Sequence, residues 1–179
     1  SPAFVVGAML GANAVHRDEP QVRHVYPNGG ALSWHEHHHD LFTAAERAFR
    51  GLYEANLATT WVPALSGVAP RLRAGGQIAD VGCGYGSSTI VLANAFPAST
   101  CSGFDYHEPS VDAARKAAAA AGVSDRVTFE VADAGAFPGE GYDLVCMCNA
   151  FHELGDPVRA ARHIRSVLSP GGSLMLVEP

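Results

Sequence analysis

The chain lacks the features that mark several large classes of protein. No uninterrupted apolar run approaches the roughly 20 residues that a membrane-spanning helix needs, so no membrane partner is expected. No basic cluster is present that could neutralise a row of phosphates. Lys and Arg number 12 against 18 Asp and Glu, a formal net charge of −6, and nucleic acid is not expected as a partner. Four cysteines, Cys83, Cys101, Cys146 and Cys148, show neither zinc-site nor C-x-x-C spacing. They read as reduced, buried thiols in a cytoplasmic protein. The apolar segment 4–10, followed by Ala12-Asn13-Ala14, has no basic stretch ahead of it, so its faint likeness to a secretory leader lacks the charged end. No internal repeat is visible.

What remains is globular. The chain has 179 residues, 47% hydrophobic and 17% charged, enough to bury one core or one core with a helical extension. Residues 1–75 read as a mostly helical subdomain. In it Asp40 caps a pattern with Phe42, Ala45, Phe49, Leu52 and Leu57 at helical spacing, which Pro63 ends. From 76 onward, short Val- and Ile-rich runs alternate with amphipathic segments, the pattern of a parallel sheet covered by helices.

Five strands are expected, at 78–81, 100–105, 127–131, 143–148 and 173–177, with helices at 88–96 and 110–121 and another ending at 168. The second helix is alanine-rich and stops at Gly122, a residue suited to a helix end. In the last helix Val158, Ala161, Ile164 and Leu168 form the inward stripe. Arg159, Arg162 and Arg165 form a solvated face. Ser169-Pro170-Gly171-Gly172 turns into the final strand.

The chemistry concentrates at strand ends. Asp80-Val81-Gly82-Cys83-Gly84-Tyr85-Gly86 joins the first strand to its helix, and missing Cβ atoms there let backbone approach a ligand. Asp105 ends the second strand and suits a ribose diol, and Tyr106 after it can stack on adenine. Asp133, past the third strand, can accept from the adenine amino group. A nicotinamide dinucleotide is the competing ligand, but its turn reads G-x-G-x-x-G, and here Ser87 stands at the final position.

Asn149 lies just past the fourth strand, at the carboxyl end where ligands bind in such sheets. His152 follows three residues later and is the candidate to deprotonate an acceptor hydroxyl. Tyr53 is either a core tyrosine or a residue near the cofactor. The segment His35-Glu36-His37-His38-His39-Asp40 holds metal-ligand types, but an exposed polar stretch before a helix accounts for it, and no metal is expected.

Together D-V-G-C-G-Y-G, Gly103-Phe104-Asp105-Tyr106, Ala132-Asp133-Ala134 and Tyr142-Asp143-Leu144-Val145 resemble the class I S-adenosylmethionine (SAM)-dependent methyltransferases. The resemblance implies an α/β Rossmann-like sheet with helices on both faces. It also implies SAM as cofactor, with S-adenosylhomocysteine as product. Gly82, Gly84 and Gly86 would host the methionine portion, Asp105 the ribose, and Asp133 with Ala134 the adenine. Asp80 would orient the loop and contact the amino-acid end.

The stretches 53–57, 61–65, 103–107 and 152–157 are similar to a type 12-like subfamily that usually carries an N-terminal winged-helix domain. That domain is absent, and nothing corresponding to strands six and seven follows the fifth. The chain, which opens at Ser1 without Met and stops at Pro179, therefore reads as a piece of a longer protein. The uncovered sheet edge leads us to expect a homodimer, truncation or weak stability. The expected activity is methyl transfer to a small-molecule acceptor. The alternative is a non-catalytic SAM-binding regulatory module.

Overall fold

A computed structural model describes residues 2–178. Ser1 and Pro179, on which the expectation of a longer chain rested, lie outside the described residues. The chain divides into two compact units, Ser1–Leu52 and Tyr53–Pro179.

The first unit is helical. Helix α1 (Pro2–Val25) and helix α2 (Asp40–Asn56) are joined through short 3-10 turns at Tyr26–Asn28 and Trp34–Glu36. The connecting histidines are not a free polar stretch. Asp18 of α1, only 3% exposed, accepts from His37 Nδ1 at 2.8 Å and from the His38 backbone N–H at 2.9 Å. A buried carboxylate is tolerated because those donors replace water. Trp34 packs edge-on against Phe42, centroids 5.3 Å apart, and Phe42 is buried as its spacing predicts. Leu52 instead stays 44% exposed.

Helix α2 crosses into the second unit, where a π-turn (Leu57–Trp61) leads to α3 (Val62–Ala64) and α4 (Val68–Arg73). Pro63 sits in the first turn of α3, where its missing N–H costs no helical hydrogen bond. It starts that helix rather than ending α2.

The rest alternates as expected: β1 (Gln77–Val81), α5 (Ser87–Ala95), β2 (Thr100–Asp105), α6 (Glu108–Ala120), β3 (Val127–Val131), β4 (Tyr142–Cys148), α7 (Pro157–Val167) and β5 (Leu168–Val177). All four strand pairings are parallel, in the order β3-β2-β1-β4-β5. The chain builds outward from β1 through β2 to β3, then crosses back to lay β4 on the other side of β1. The carboxyl ends of β1 and β4 thus flank the point where the winding reverses, the place where open α/β sheets leave a crevice.

Alternation along the strands divides the core. Ala79, Val81, Phe104, Val145 and Met147 pack with Ile164 and Val167 of α7 and with Phe137. The intervening residues of β1, Ile78 and Asp80, turn toward the other face, where α5 lies. The inward stripe of α7 is Ala160, Ile164 and Val167, while Val158 is 55% exposed. His163 fixes this rotation by placing its ring edge-on against Phe137 and its Nε2 2.7 Å from the Phe137 carbonyl. Alanines at both 160 and 161 leave the hydrophobic pattern unable to choose between the two stripes. The expected turn at 169–172 is contained in β5 as an irregularity: Tyr142 pairs with Leu168 and Leu144 with Ser173, so the Pro-Gly-Gly residues bulge out between the paired positions.

Candidate active site

Asp80, Asp105, Tyr106, Asp133, Asn149 and His152 all lie at or just past the carboxyl ends of β1 to β4. The turn after β1 is anchored by Gly82 N and Cys83 N, both donating to the Phe104 carbonyl at 2.7 and 3.1 Å. Gly82, Gly84 and Gly86 all have positive φ, at 73°, 52° and 81°, a region where a Cβ is strained. At Gly82 space matters as well, since an added Cβ would sit 2.4 Å from the Ala150 Cβ. The turn is therefore packed directly against the segment that follows β4. Around Gly84 a Cβ would meet nothing within 4 Å, so the middle of the turn presents bare backbone to open space. That is the cradle a cofactor needs.

Asp105 braces the turn. Its Oδ2 accepts from Gly84 N and its Oδ1 from His107 N, each at 2.9 Å. At 9% exposure burial raises its pKa, opposed by those two backbone donors. The acid expected to hold a ribose diol is thus already fixed to the glycine turn.

Asp80 is more deeply placed. It is fully buried, and its Oδ2 accepts from Ser88 Oγ and Thr89 Oγ1, both at 2.6 Å. The Cys146 thiol donates to its Oδ1 at 3.5 Å. Burial again raises the pKa, against the hydroxyl donors. The carboxylate is spent tying β1 to the start of α5 and to β4, which makes it an organiser of the loop. Ser88 and Thr89 escaped notice in the sequence, although two hydroxyls opening the helix after a glycine turn are the natural partners for a buried acid.

The remaining positions are more open. Tyr106 is 50% exposed, and Ala134 is partly buried against the core. Asp133 Oδ1 accepts from Gly135 N at 2.7 Å and forms an ion pair with Arg159. Arg159 is 54% exposed, on the solvated face expected for it, and from there also pairs with Asp133, an expected adenine contact.

Asn149 has φ 54°, the one positive value outside glycine among the described residues. Its Nδ2 donates to Tyr53 Oη at 2.9 Å. Tyr53 is 6% exposed, and burial pushes its phenol pKa up, so it stays neutral. His152 lies on a 3-10 turn, Phe151–Glu153. Its Nδ1 contacts Glu178 Oε2, and its Nε2 is 3.4 Å from Glu153 Oε1. The other oxygen of Glu178 accepts from Phe151 N at 2.9 Å. Glu178 was missed in the sequence, although a carboxylate directly after the last strand falls on the same edge as the others.

His38, His39 and Asp40, in the first unit, offer ligand atoms within 4.8 Å of one another. Arg17 Nη1 stands 3.0 Å from His38 Nε2, and Asp40 begins α2. A guanidinium and the positive end of a helix both disfavour a cation there. The four cysteines are free and buried. Burial raises the Cys101 thiol to about 12. No described helix is long and apolar enough to cross a membrane.

Comparison with known proteins agrees with this geometry. A family model described as a methyltransferase domain matches residues 78–172. The 27-O-demethylrifamycin SV methyltransferase of Amycolatopsis mediterranei is 38% identical over 114 residues, covering 63% of this chain and 41% of that protein. The probable tocopherol O-methyltransferase of Oryza sativa is 31% identical over 155 residues, covering 80% and 41%. Among solved structures, a SAM-dependent methyltransferase from Thiobacillus denitrificans in complex with S-adenosyl-L-homocysteine is 27% identical with a TM-score of 0.55, covering 69% of this chain and 47% of that one. The chain spans less than half the length of these relatives. With the family model matched over more than half of its own length, the chain belongs to the methyltransferase domain family.

Proposed function

We propose that the second unit binds SAM across the carboxyl edge of its sheet and transfers the methyl group to a hydroxyl of a small organic acceptor. The observation that carries this reading is that a glycine turn braced by Asp105 shares one edge with a histidine held by Glu178. The names of two relatives, one a demethylrifamycin methyltransferase and the other an O-methyltransferase, support a small acceptor. Four buried free thiols support a cytoplasmic setting. The net charge of −6 argues against nucleic acid. The outer edge of β5, paired on one side only, supports a homodimer.

The cofactor supplies a methyl group already activated on a sulfonium. Position, dryness and removal of one proton are therefore what the chain must provide. Backbone of Gly82, Gly84 and Gly86 makes room for the methionine portion, Asp105 accepts from the ribose hydroxyls, and Tyr106, Asp133 and Ala134 form the adenine side. Asn149 contacts the amino-acid end. His152 is the base: with its Nδ1 proton directed to Glu178, Nε2 carries the lone pair that takes the acceptor's hydroxyl proton. The carboxylates of Glu178 and Glu153 compensate the charge the ring then gains.

Calorimetry on the purified chain tests the cofactor half, with SAM, S-adenosylhomocysteine and NAD as ligands and Asp105→Ala as the site control. Micromolar SAM binding that NAD does not share and that the substitution removes is expected. A folded chain that binds neither SAM nor its product would refute the assignment. Turnover is then assayed with hydroxylated aromatic acceptors.

A further inference from the structure

Asn149 poses a question of cost. At φ 54° a glycine would be relaxed, and asparagine is among the few residues that tolerate the left-handed region at all. The backbone N–H there is engaged, since Asn149 N donates to the Val177 carbonyl at 2.8 Å and continues the β4–β5 ladder past the strand end. A side chain kept where glycine would fit better points to work done by that side chain.

Its surroundings say which work. Nδ2 is tied to Tyr53 Oη at 2.9 Å, and Tyr53 is buried at the end of α2, just before the π-turn at Leu57–Trp61. Single π-turns of this kind recur at functional sites. The next residue, Ala150, is the one that presses against Gly82. The amide tie thus lies beside the glycine turn. It uses an amide hydrogen and leaves the carbonyl oxygen, an acceptor, as the face that Asn149 can offer a ligand.

We propose that Tyr53 is a positioning residue that fixes the Asn149 carboxamide so that its oxygen receives the α-ammonium group of the cofactor's amino-acid end. This rests on the cofactor reading above. A neutral phenol suits the role, because it can accept from the amide without adding a charge beside the buried Asp80.

The test is a double-substitution cycle read by calorimetry and thermal melting, using SAM, S-adenosylhomocysteine and 5′-methylthioadenosine, which lacks the amino-acid end. Asn149→Gly relieves the backbone but removes a donor from the buried Tyr53 oxygen, so the melt serves to confirm that the variant is folded. The variant should bind S-adenosylhomocysteine roughly tenfold more weakly yet bind 5′-methylthioadenosine unchanged. Tyr53→Phe, which keeps the ring packing, should weaken S-adenosylhomocysteine by several-fold. In the Asn149→Gly background it should cost nothing further, because its effect passes through the amide.

Equal losses from Tyr53→Phe in both backgrounds would overturn the proposal, as would equal loss of 5′-methylthioadenosine in Asn149→Gly. So would a wild type that binds SAM and an Asn149→Gly variant that binds it as well. A wild type that binds no SAM would bring down the underlying cofactor reading and this proposal with it.

Discussion

The two sides of the sheet's carboxyl edge are built on different principles. At the ends of β1 and β2 the acids are buried, Asp80 fully and Asp105 to 9% exposure. Their oxygens are held by backbone N–H groups, hydroxyls and a thiol of neighbouring elements. Beyond β3, β4 and β5 the charged groups are more open: His152 is 45% exposed, Asp133 56% and Arg159 54%. Several of these meet side chain to side chain. A ligand of constant shape rewards the first construction, because groups fixed before binding lose little entropy when it arrives. On the proposed reading the second construction serves a variable acceptor at His152, together with the adenine contact Asp133. The comparison holds only if the two sides can be damaged separately.

The largest effect is expected from the open side. His152→Ala should lower turnover by about 100- to 10,000-fold, the usual contribution of a positioned acid or base. SAM affinity should stay near wild type, since the ring takes no part in bracing the glycine turn. Glu178→Gln keeps the shape but not the charge, and should fall between the two. Stopped-turnover assays beside calorimetry separate the outcomes. If cofactor affinity falls together with turnover in His152→Ala, the two sides are one cooperative unit and the comparison breaks.

Next comes the buried side. Asp105→Asn should weaken SAM by roughly ten- to a hundredfold, because a charge-assisted acceptor becomes a neutral amide. Acidity sharpens this. Burial raises the Asp105 pKa, so the folded chain holds that proton more tightly than the unfolded chain. The stabilising contribution of this raised pKa is complete below the unfolded value of ~3.9 and is lost as pH rises through the folded value. Cofactor affinity runs the other way, since the ribose needs the carboxylate. Binding should therefore weaken on acidification while the pH is still above ~3.9. Asp105→Asn should flatten that limb of the profile. Calorimetry from neutral pH downward checks both statements, and an unchanged limb in the variant would assign the titration to another group.

The same division explains how much of the molecule could be read in advance. All five strands were legible, β1 and β4 as apolar runs buried on both faces, although β5 starts at Leu168, ahead of the 173–177 expected for it. Asp80, Gly82, Gly84, Gly86 and Asp105 stood out because the backbone demands of a tight turn and an acid at a strand end leave their mark in one short window. What escaped depends on pairing across the fold. Glu178 finds His152 from 26 positions away and Arg159 finds Asp133 at the same separation, while Tyr53 and Asn149 are 96 apart. No local pattern records such meetings. The stripe of α7 was misplaced for a related reason, since two adjacent alanines satisfy either rotation and only His163 against Phe137 decides.

The smallest effect should also have the opposite sign. Arg159 holds Asp133 Oδ1, an oxygen that Gly135 N also engages, so the expected adenine contact is partly occupied before the cofactor arrives. Both side chains are more than half exposed, and such a pair contributes under about 1 kcal/mol to stability. Arg159→Ala should accordingly melt within about 2–4 °C of the wild type. By releasing the carboxylate it should bind SAM equally or up to about fivefold more tightly, which is the same energy read as affinity. Salt supplies an independent check, because screening weakens an exposed pair. Raising ionic strength should bring the wild type toward the variant and leave the variant little changed. A variant that binds SAM more weakly at every salt concentration would make Arg159 a contributor to the cofactor site. The open side of the edge would then hold the cofactor through Arg159 as well as through Asp133.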